Sequence, residues 1–171
     1  LHLFKGRDSN PITCGKVIDV DEDKIKVRDG LGKIDVILIK NLSTQDQRYV
    51  KSIRTLSKVF QRKKIEAEKS FLRLDTNSPT IKKKALEKIG SLGYAAQHLS
   101  KDLSELTLKI EDTEIAASAL FAFMKICPRN DISINRIFFI LKNRRDLAKQ
   151  IEQSPLEFLE LLARFTSKVD L

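Results

Sequence analysis

The sequence is poor in the residues that most often carry chemistry. Its 171 residues include no tryptophan, two cysteines and two histidines. Two cysteines exclude a disulfide-dense scaffold, and two histidines leave little material for a metal centre or for acid–base catalysis. No apolar run approaches the roughly eighteen residues of a membrane-spanning helix, so we predict no transmembrane segment. The 42% hydrophobic fraction is nevertheless sufficient for a folded core.

The few chemically capable side chains are too scattered to predict a reaction. His98 has no cysteine, second histidine or carboxylate at the spacing of a metal site. Cys14 and Cys127 lie in different segments, and we expect both to be buried free thiols. No pair of carboxylates is placed by the sequence in an apolar pocket. We therefore predict no catalytic residue, no metal site and no cofactor, and expect that the chain is not an enzyme.

Positive charge is present, and it is concentrated in one stretch. The chain carries a formal net charge of +9. Residues 51–90 hold twelve Lys or Arg against four Asp or Glu, a local net charge of +8. Such a local excess attracts anionic surfaces. The candidate contact residues are basic side chains of this stretch: Arg54, Lys58, Arg62, Lys63, Lys64, Lys82, Lys83 and Lys84.

Three interpretations of this basic stretch stay open. It is a solvated helix face, a surface that docks on acidic protein, or a site for nucleic acid or anionic lipid. Nucleic-acid sites normally add stacking aromatic side chains or a reading helix. The only aromatic residues of the stretch are Phe60 and Phe71, which fall on a predicted apolar stripe. We therefore expect a protein partner, and expect nucleic acid less.

The first part of the chain has the pattern of a small antiparallel sheet. Ile25 and Val27 alternate with basic residues, and short β-branched runs flank them at residues 17–20 and 34–39. The Asp-Gly-Leu-Gly sequence at residues 29–32 is typical of a hairpin connection. Residues 1–11 offer material for one more edge strand. We predict a β module that ends near residue 42.

At residue 43 the apolar period changes from two to about three and a half. Ser43 followed by Asp46 has the spacing of a helix N-cap and a first-turn acid. Apolar residues then recur at helical spacing as far as residue 74, which predicts one helix of roughly 45 Å. We expect its stripe to face other protein, from this chain or a second copy, at Ile53, Leu56, Phe60, Phe71 and Leu74.

The second half of the chain contains an internal repeat. The residues Ile81, Ala85, Leu86 and Ile89 are matched 34 residues later by Ile115, Ala119, Leu120 and Phe123. Each copy is followed by a breaker, first glycines 90 and 93 and then proline 128, and by a second apolar helix. Helix, turn and helix at this period are typical of an α-solenoid. A third, imperfect unit follows, with a capping box predicted at residues 154–157.

Two stretches resemble known families. The Leu-Ser-x-x-Asp-x-x-Tyr-Val sequence at residues 42–50, with the preceding strands, resembles the SLA1 homology domain 1, an SH3-like β module. The resemblance implies a small barrel; eukaryotic members bind short peptides, and bacterial relatives exist. Residues 79–142, best at the Ala-Leu-x-x-Ile-Gly-x-Leu-Gly run of residues 85–93, resemble HEAT-like repeats. That resemblance implies a binding scaffold.

The expected fold is α+β and mostly α. It divides into a β module at residues 1–42, a basic connecting helix at 43–77 and a HEAT-like helical domain at 78–171. We expect a non-enzymatic interaction protein that serves as an assembly factor or scaffold of a larger complex. Residues 51–90 are expected to dock on acidic protein, and self-association is a further possibility. A nucleic-acid-binding module is the alternative. The first residue is Leu, so localisation stays open between the cytoplasm and an exported compartment.

Overall fold

The computed structural model describes residues 1–166 and has a mostly α, α+β fold, as predicted. Four strands come first, and helices make up the rest of the described chain. The strands are β1 His2–Lys5, β2 Pro11–Val20, β3 Lys24–Arg28 and β4 Ile34–Leu38. The helices are α1 Thr44–Leu72, α2 Pro79–Leu92, α3 Ser100–Lys109, α4 Thr113–Ile126, α5 Asp131–Asn143, α6 Leu147–Gln153 and α7 Pro155–Thr166, with 3₁₀ turns at Ile39–Asn41, Arg73–Asp75 and Gly93–Leu99.

The chain divides into two compact units, Leu1–Phe60 and Gln61–Leu171. The sequence suggested three parts with boundaries near residues 42 and 77. The division between the two compact units falls inside α1, so the first part of this helix belongs to the sheet unit and the second part to the helical unit. Within residues 1–166, no helix has the length and hydropathy needed to cross a membrane.

The sheet unit is an antiparallel meander in the order β1-β2-β3-β4. Alternation places one face of the strands inward, where a small core forms from Phe4, Ile25, Val27, Ile37, Leu42 and Val50. The edge strand expected in residues 1–11 is β1, which pairs with β2. Gly15 lies so close to the backbone of β3 that a β-carbon there would clash with the Arg28 carbonyl.

The predicted start of α1 is confirmed. The Asp46 backbone N–H donates to Ser43 Oγ at 3.2 Å, and Ser43 Oγ donates back to Asp46 Oδ2 at 2.9 Å. The apolar stripe is confirmed only toward the C-terminal end of α1 and just beyond it. Leu74 is buried and Phe71 packs against the core of the helical unit, whereas Leu56 is 68% exposed within this chain. A helical period identifies the apolar side of a helix, but it does not say along which turns that side is covered.

The helical unit is built around contacts between α2, α3, α4 and α5. Helix α2 packs on α4, and α3 packs on α4 and α5. Seven of the eight repeat residues are buried, and Ile81, at 45% exposure, is the exception. Gly90 lies inside α2 and does not break it; it allows α2 to approach Ala122 of α4 closely. The break comes at Gly93, where φ is +54°.

Several local predictions need correction. The helix expected after Gly93 begins as a 3₁₀ turn. The capping box at residues 154–157 does not form, because the Ser154 N–H donates to the Ile151 carbonyl and Glu157 pairs with Lys125 at 2.8 Å. The two cysteines are free, but Cys14 is exposed and only Cys127 is buried. Cys14 belongs to a strand with one solvated face, and the sequence alone did not identify which face that was.

Candidate functional site

A serine, a histidine and an aspartate meet in the sheet unit. The Asp46 carboxylate accepts hydrogen bonds from the Lys5 backbone N–H at 2.7 Å and from Ser43 Oγ at 2.9 Å. His2 Nε2 lies 2.7 Å from the other carboxylate oxygen, and the His2 ring stacks on Tyr49 with centroids 4.1 Å apart. Sequence reasoning assigned no role to His2, because its partner is 44 residues away.

The order of these contacts decides what the cluster does. In a nucleophilic triad the imidazole stands between the serine and the carboxylate. Here the carboxylate of Asp46 stands between Ser43 and His2, and the serine hydroxyl already donates to it. Burial raises the pKa of Asp46, but the hydrogen bonds from His2, Lys5 and Ser43 outweigh burial and hold that pKa below its ordinary value. The cluster fastens β1 to the first turn of α1.

No grouping of side chains suited to a metal ion occurs in the part of the chain that the structure describes. Three or more His, Cys, Asp or Glu side chains do not converge anywhere in residues 1–166. His98 approaches Glu68 at 3.4 Å, which makes one ion pair when the imidazole is protonated. Burial raises the pKa of the Cys127 thiol to about 11, so this cysteine is protonated and inert at neutral pH.

The basic candidate residues are distributed over both units. Arg54 and Lys58 belong to the sheet unit, where Arg54 lies 3.6 Å from Glu22 and Lys58 is exposed. Arg62 and Lys63 are exposed on the part of α1 that belongs to the helical unit, and Lys64 beside them is half-buried. The predicted contact residues are therefore divided between the two units.

The three consecutive lysines of α2 differ in their surroundings. Lys83 forms an ion pair with Glu114 of α4, so its charge is already neutralised within the fold. Lys82 is half-buried, and Lys84 is exposed. Two of the predicted contact residues line concave sites: Arg54 lines one in the sheet unit, and Lys84 lines one in the helical unit.

That site is a cleft of about 510 Å³ between the end of α1 and α2. Its lining is basic and apolar without an acidic side chain: Ser70, Leu72, Arg73, Thr76, Ile81, Lys84, Ala85 and Lys88. Leu72 is 70% exposed. Lys88 pairs with Glu66 at 2.8 Å. Within residues 1–166, Arg73 and Lys84 have no carboxylate within ion-pairing distance. We call these lining residues the basic cleft.

Sequence reasoning missed most of the basic cleft. Arg73, Lys88, Leu72 and Ile81 lie in the segment of high positive charge, but none was a predicted contact residue, because that prediction depended on the basic runs at 62–64 and 82–84 and on two cations before them. One signal was available: Arg73 follows Arg62 and Lys69 at helical spacing, on the side of α1 away from its apolar stripe. Comparisons with protein-family models, with curated proteins and with solved structures each find no match to this chain.

Proposed function

We propose that this chain is a non-enzymatic protein-interaction protein, a scaffold or assembly factor whose helical unit docks on acidic protein surfaces through the basic cleft. One observation carries the proposal. Arg73 and Lys84 stand beside exposed apolar side chains in a concave site that has no acidic lining residue. A partner segment with carboxylates and apolar side chains complements that combination. The SH3-like and HEAT-like resemblances of the sequence, both to binding modules, support the same proposal.

Energetics favour a protein partner over a purely solvated face. Exposed cations that only meet water contribute little, and isolated surface ion pairs contribute about 0–1 kcal/mol. Cations next to an apolar surface act differently, because a partner that covers the surface also removes water from the ion pairs and strengthens them. The basic cleft offers both components within one unit. The role of the cations is then to raise the encounter rate and select acidic partners.

The proposal is tested by charge reversal in the full chain. In the test variant, Arg73 and Lys84 are both changed to Glu. In the matched control, Arg145 and Lys149 are changed to Glu, which gives the same net charge outside the basic cleft. Both residues of the control are exposed. Each protein is used as bait in extract of the native host, and captured proteins are quantified by mass spectrometry.

We expect one or more acidic proteins to be captured stoichiometrically by the wild type and by the control, and to be lost with the cleft variant. Capture should weaken as salt is raised, since exposed charges are screened beyond about 10 Å at 0.1 M. Equal capture by the cleft variant refutes the proposal. A parallel titration with random-sequence duplex DNA tests the alternative: binding with a steep salt dependence, lost in the cleft variant alone, would assign the cleft to nucleic acid.

A further inference from the structure

A second concave site lies in the helical unit, away from the basic stretch of the sequence. It is a groove of about 670 Å³ between α3 and α5, next to the α4–α5 connection. Its lining includes Lys101, Glu105, Phe123, Ile132, Arg136 and Phe139. It shares no lining residue with the basic cleft.

The groove has an apolar surface that the fold leaves uncovered. Helix α5 packs against the core of the helical unit through Ile137 and Ile140, which are both fully buried. Ile132 and Phe139 lie seven residues apart on another side of the same helix and are 80% and 48% exposed. Phe123 of α4, which is 4% exposed, forms part of the lining between them. This side of α5 therefore presents two exposed apolar side chains to the groove.

Arg136 is held in place within this groove. Its Nε donates to Ser104 Oγ at 3.2 Å, and its guanidinium carbon lies 5.1 Å from the centroid of the Phe139 ring. Ser104 is itself fixed, because it is buried and its hydroxyl donates to the Lys101 carbonyl at 2.8 Å. A hydrogen bond at Nε and a ring beside the guanidinium restrict the rotamers of the arginine before any ligand binds.

The hydrogen bond of the Arg136 side chain is made through Nε. Within residues 1–166, its terminal nitrogens Nη1 and Nη2 have no hydrogen-bond partner, and no carboxylate lies within ion-pairing distance of this side chain. A planar guanidinium with two adjacent free amino groups matches the two oxygens of a carboxylate. Lys101 adds a second cation to the lining, against a single acid, Glu105. The groove is therefore preorganised for an anion beside an apolar group.

We infer that the α3–α5 groove binds a partner segment in which a carboxylate side chain stands next to a bulky apolar one. Arg136 clamps the carboxylate through Nη1 and Nη2. The apolar side chain packs against Ile132, Phe139 and Phe123. Nucleic acid is disfavoured as the occupant because the lining includes Glu105 and one fixed guanidinium in place of a row of cations. This inference does not rest on the basic cleft.

The experiment selects peptides on the full chain from a phage-displayed library of random dodecapeptides. We expect enrichment of Asp or Glu within two positions of an aromatic or branched aliphatic residue. The most enriched peptide is then synthesised, and its dissociation constant is measured by fluorescence anisotropy. Arg136→Lys keeps the positive charge but removes the two adjacent terminal nitrogens that bind a carboxylate in a bidentate manner. It should weaken binding by about tenfold or more, because a charge-assisted bidentate pair contributes at least that factor.

Three controls make the result specific. Arg145→Lys, at an exposed arginine outside the groove, should leave the dissociation constant unchanged. Ile132→Asp changes a side chain that is 80% exposed, so the fold tolerates it; the variant removes the apolar contact and places a negative charge beside the peptide carboxylate, and binding weakens. Replacing the peptide carboxylate by its amide should weaken binding to the wild type but add little further loss in Arg136→Lys. Circular dichroism verifies that each variant is folded.

Several outcomes would overturn the inference. They are a selection that enriches no peptide, enriched peptides without a carboxylate, and a peptide whose affinity neither Arg136→Lys nor Ile132→Asp changes. A peptide that is lost in the Arg73 and Lys84 charge-reversal variant but retained by Arg136→Lys also overturns it, while supporting the proposed function. A peptide that is lost in Arg136→Lys but retained by the Arg73 and Lys84 charge-reversal variant supports binding in the groove. That outcome does not test the basic cleft.

Discussion

Arg144 provides the sharpest test of how the helical unit is held together. Its Nη1 donates to the carbonyls of Thr107 and Ile110 at 2.7 and 2.6 Å, at the C-terminal end of α3. Its Nε and Nη2 donate to Asp146. A helix end leaves its last carbonyls without intrahelical partners, and a cation there is favoured by the helix dipole. Arg144 thus caps α3 from the connection between α5 and α6.

The cost of Arg144→Ala follows from these contacts. The Arg144 side chain is 13% exposed and Asp146 is 42% exposed, so the ion pair itself contributes within about 1 kcal/mol. The two carbonyl hydrogen bonds dominate, because each charge-assisted bond contributes roughly 1.5–3 kcal/mol and its loss leaves a partly buried acceptor unpaired. Partial hydration of the carbonyls recovers some of this. We expect a loss of about 3 kcal/mol in the free energy of unfolding.

The neighbouring arginine supplies the control. Arg145 is exposed, and its side chain makes no hydrogen bond or ion pair within residues 1–166, so Arg145→Ala should change the stability by no more than about 0.5 kcal/mol. The measurement is urea denaturation followed by far-ultraviolet circular dichroism, because the chain has no tryptophan to report by fluorescence. Equal stabilities of the two variants would refute the view that a single side chain caps α3.

Three further predictions concern the remaining structure. Leu86→Ala should cost about 2–5 kcal/mol because Leu86 is fully buried, whereas Leu56→Ala should cost no more than about 0.5 kcal/mol, both by the same urea titration. Gly15→Ala should destabilise the sheet unit, because the added β-carbon would clash with the backbone of β3. Gly30→Ala should be tolerated, because a β-carbon there meets no atom within 4 Å. Amide hydrogen exchange in the strands should be faster in Gly15→Ala than in Gly30→Ala. The hydrogen bond from Arg144 lowers the pKa of Asp146 from 3.8 to about 2. The Asp146 carboxylate therefore stabilises the folded state at neutral pH, and this stabilisation is lost as pH falls from about 4 to about 2. The free energy of unfolding should fall less over this range in Asp146→Asn than in the wild type.

The elements of this fold could be predicted because their signals are local. Alternation identified the strands, the Ser43 and Asp46 spacing located the start of α1, and the recurring apolar spacing predicted helices in the second half of the chain. These features depend on residues a few positions apart, or on a pattern that recurs. The fold class followed from them.

The site residues could not be predicted in the same way, because their state depends on partners distant in sequence. Lys83 and Lys84 are adjacent and chemically identical, yet Glu114 of α4 neutralises one while the other lines the basic cleft. Nothing in the sequence near Arg136 distinguishes it from other basic residues, because residues 91–171 have no net charge. Its environment depends on Ser104, 32 residues earlier. Charge runs marked a region of the chain but not the side chains that remain available in it.

The unequal exposure of the two cysteines has a practical consequence. Cys14 is exposed in the sheet unit, and Cys127 is buried in the helical unit with a raised pKa. A maleimide dye therefore labels the native chain at Cys14 and places a fluorophore there without mutagenesis. Cys127 reacts only when the helical unit opens. Timed alkylation read by mass spectrometry thus follows the opening of that unit, and a bound partner that slows it can be detected on unmodified protein.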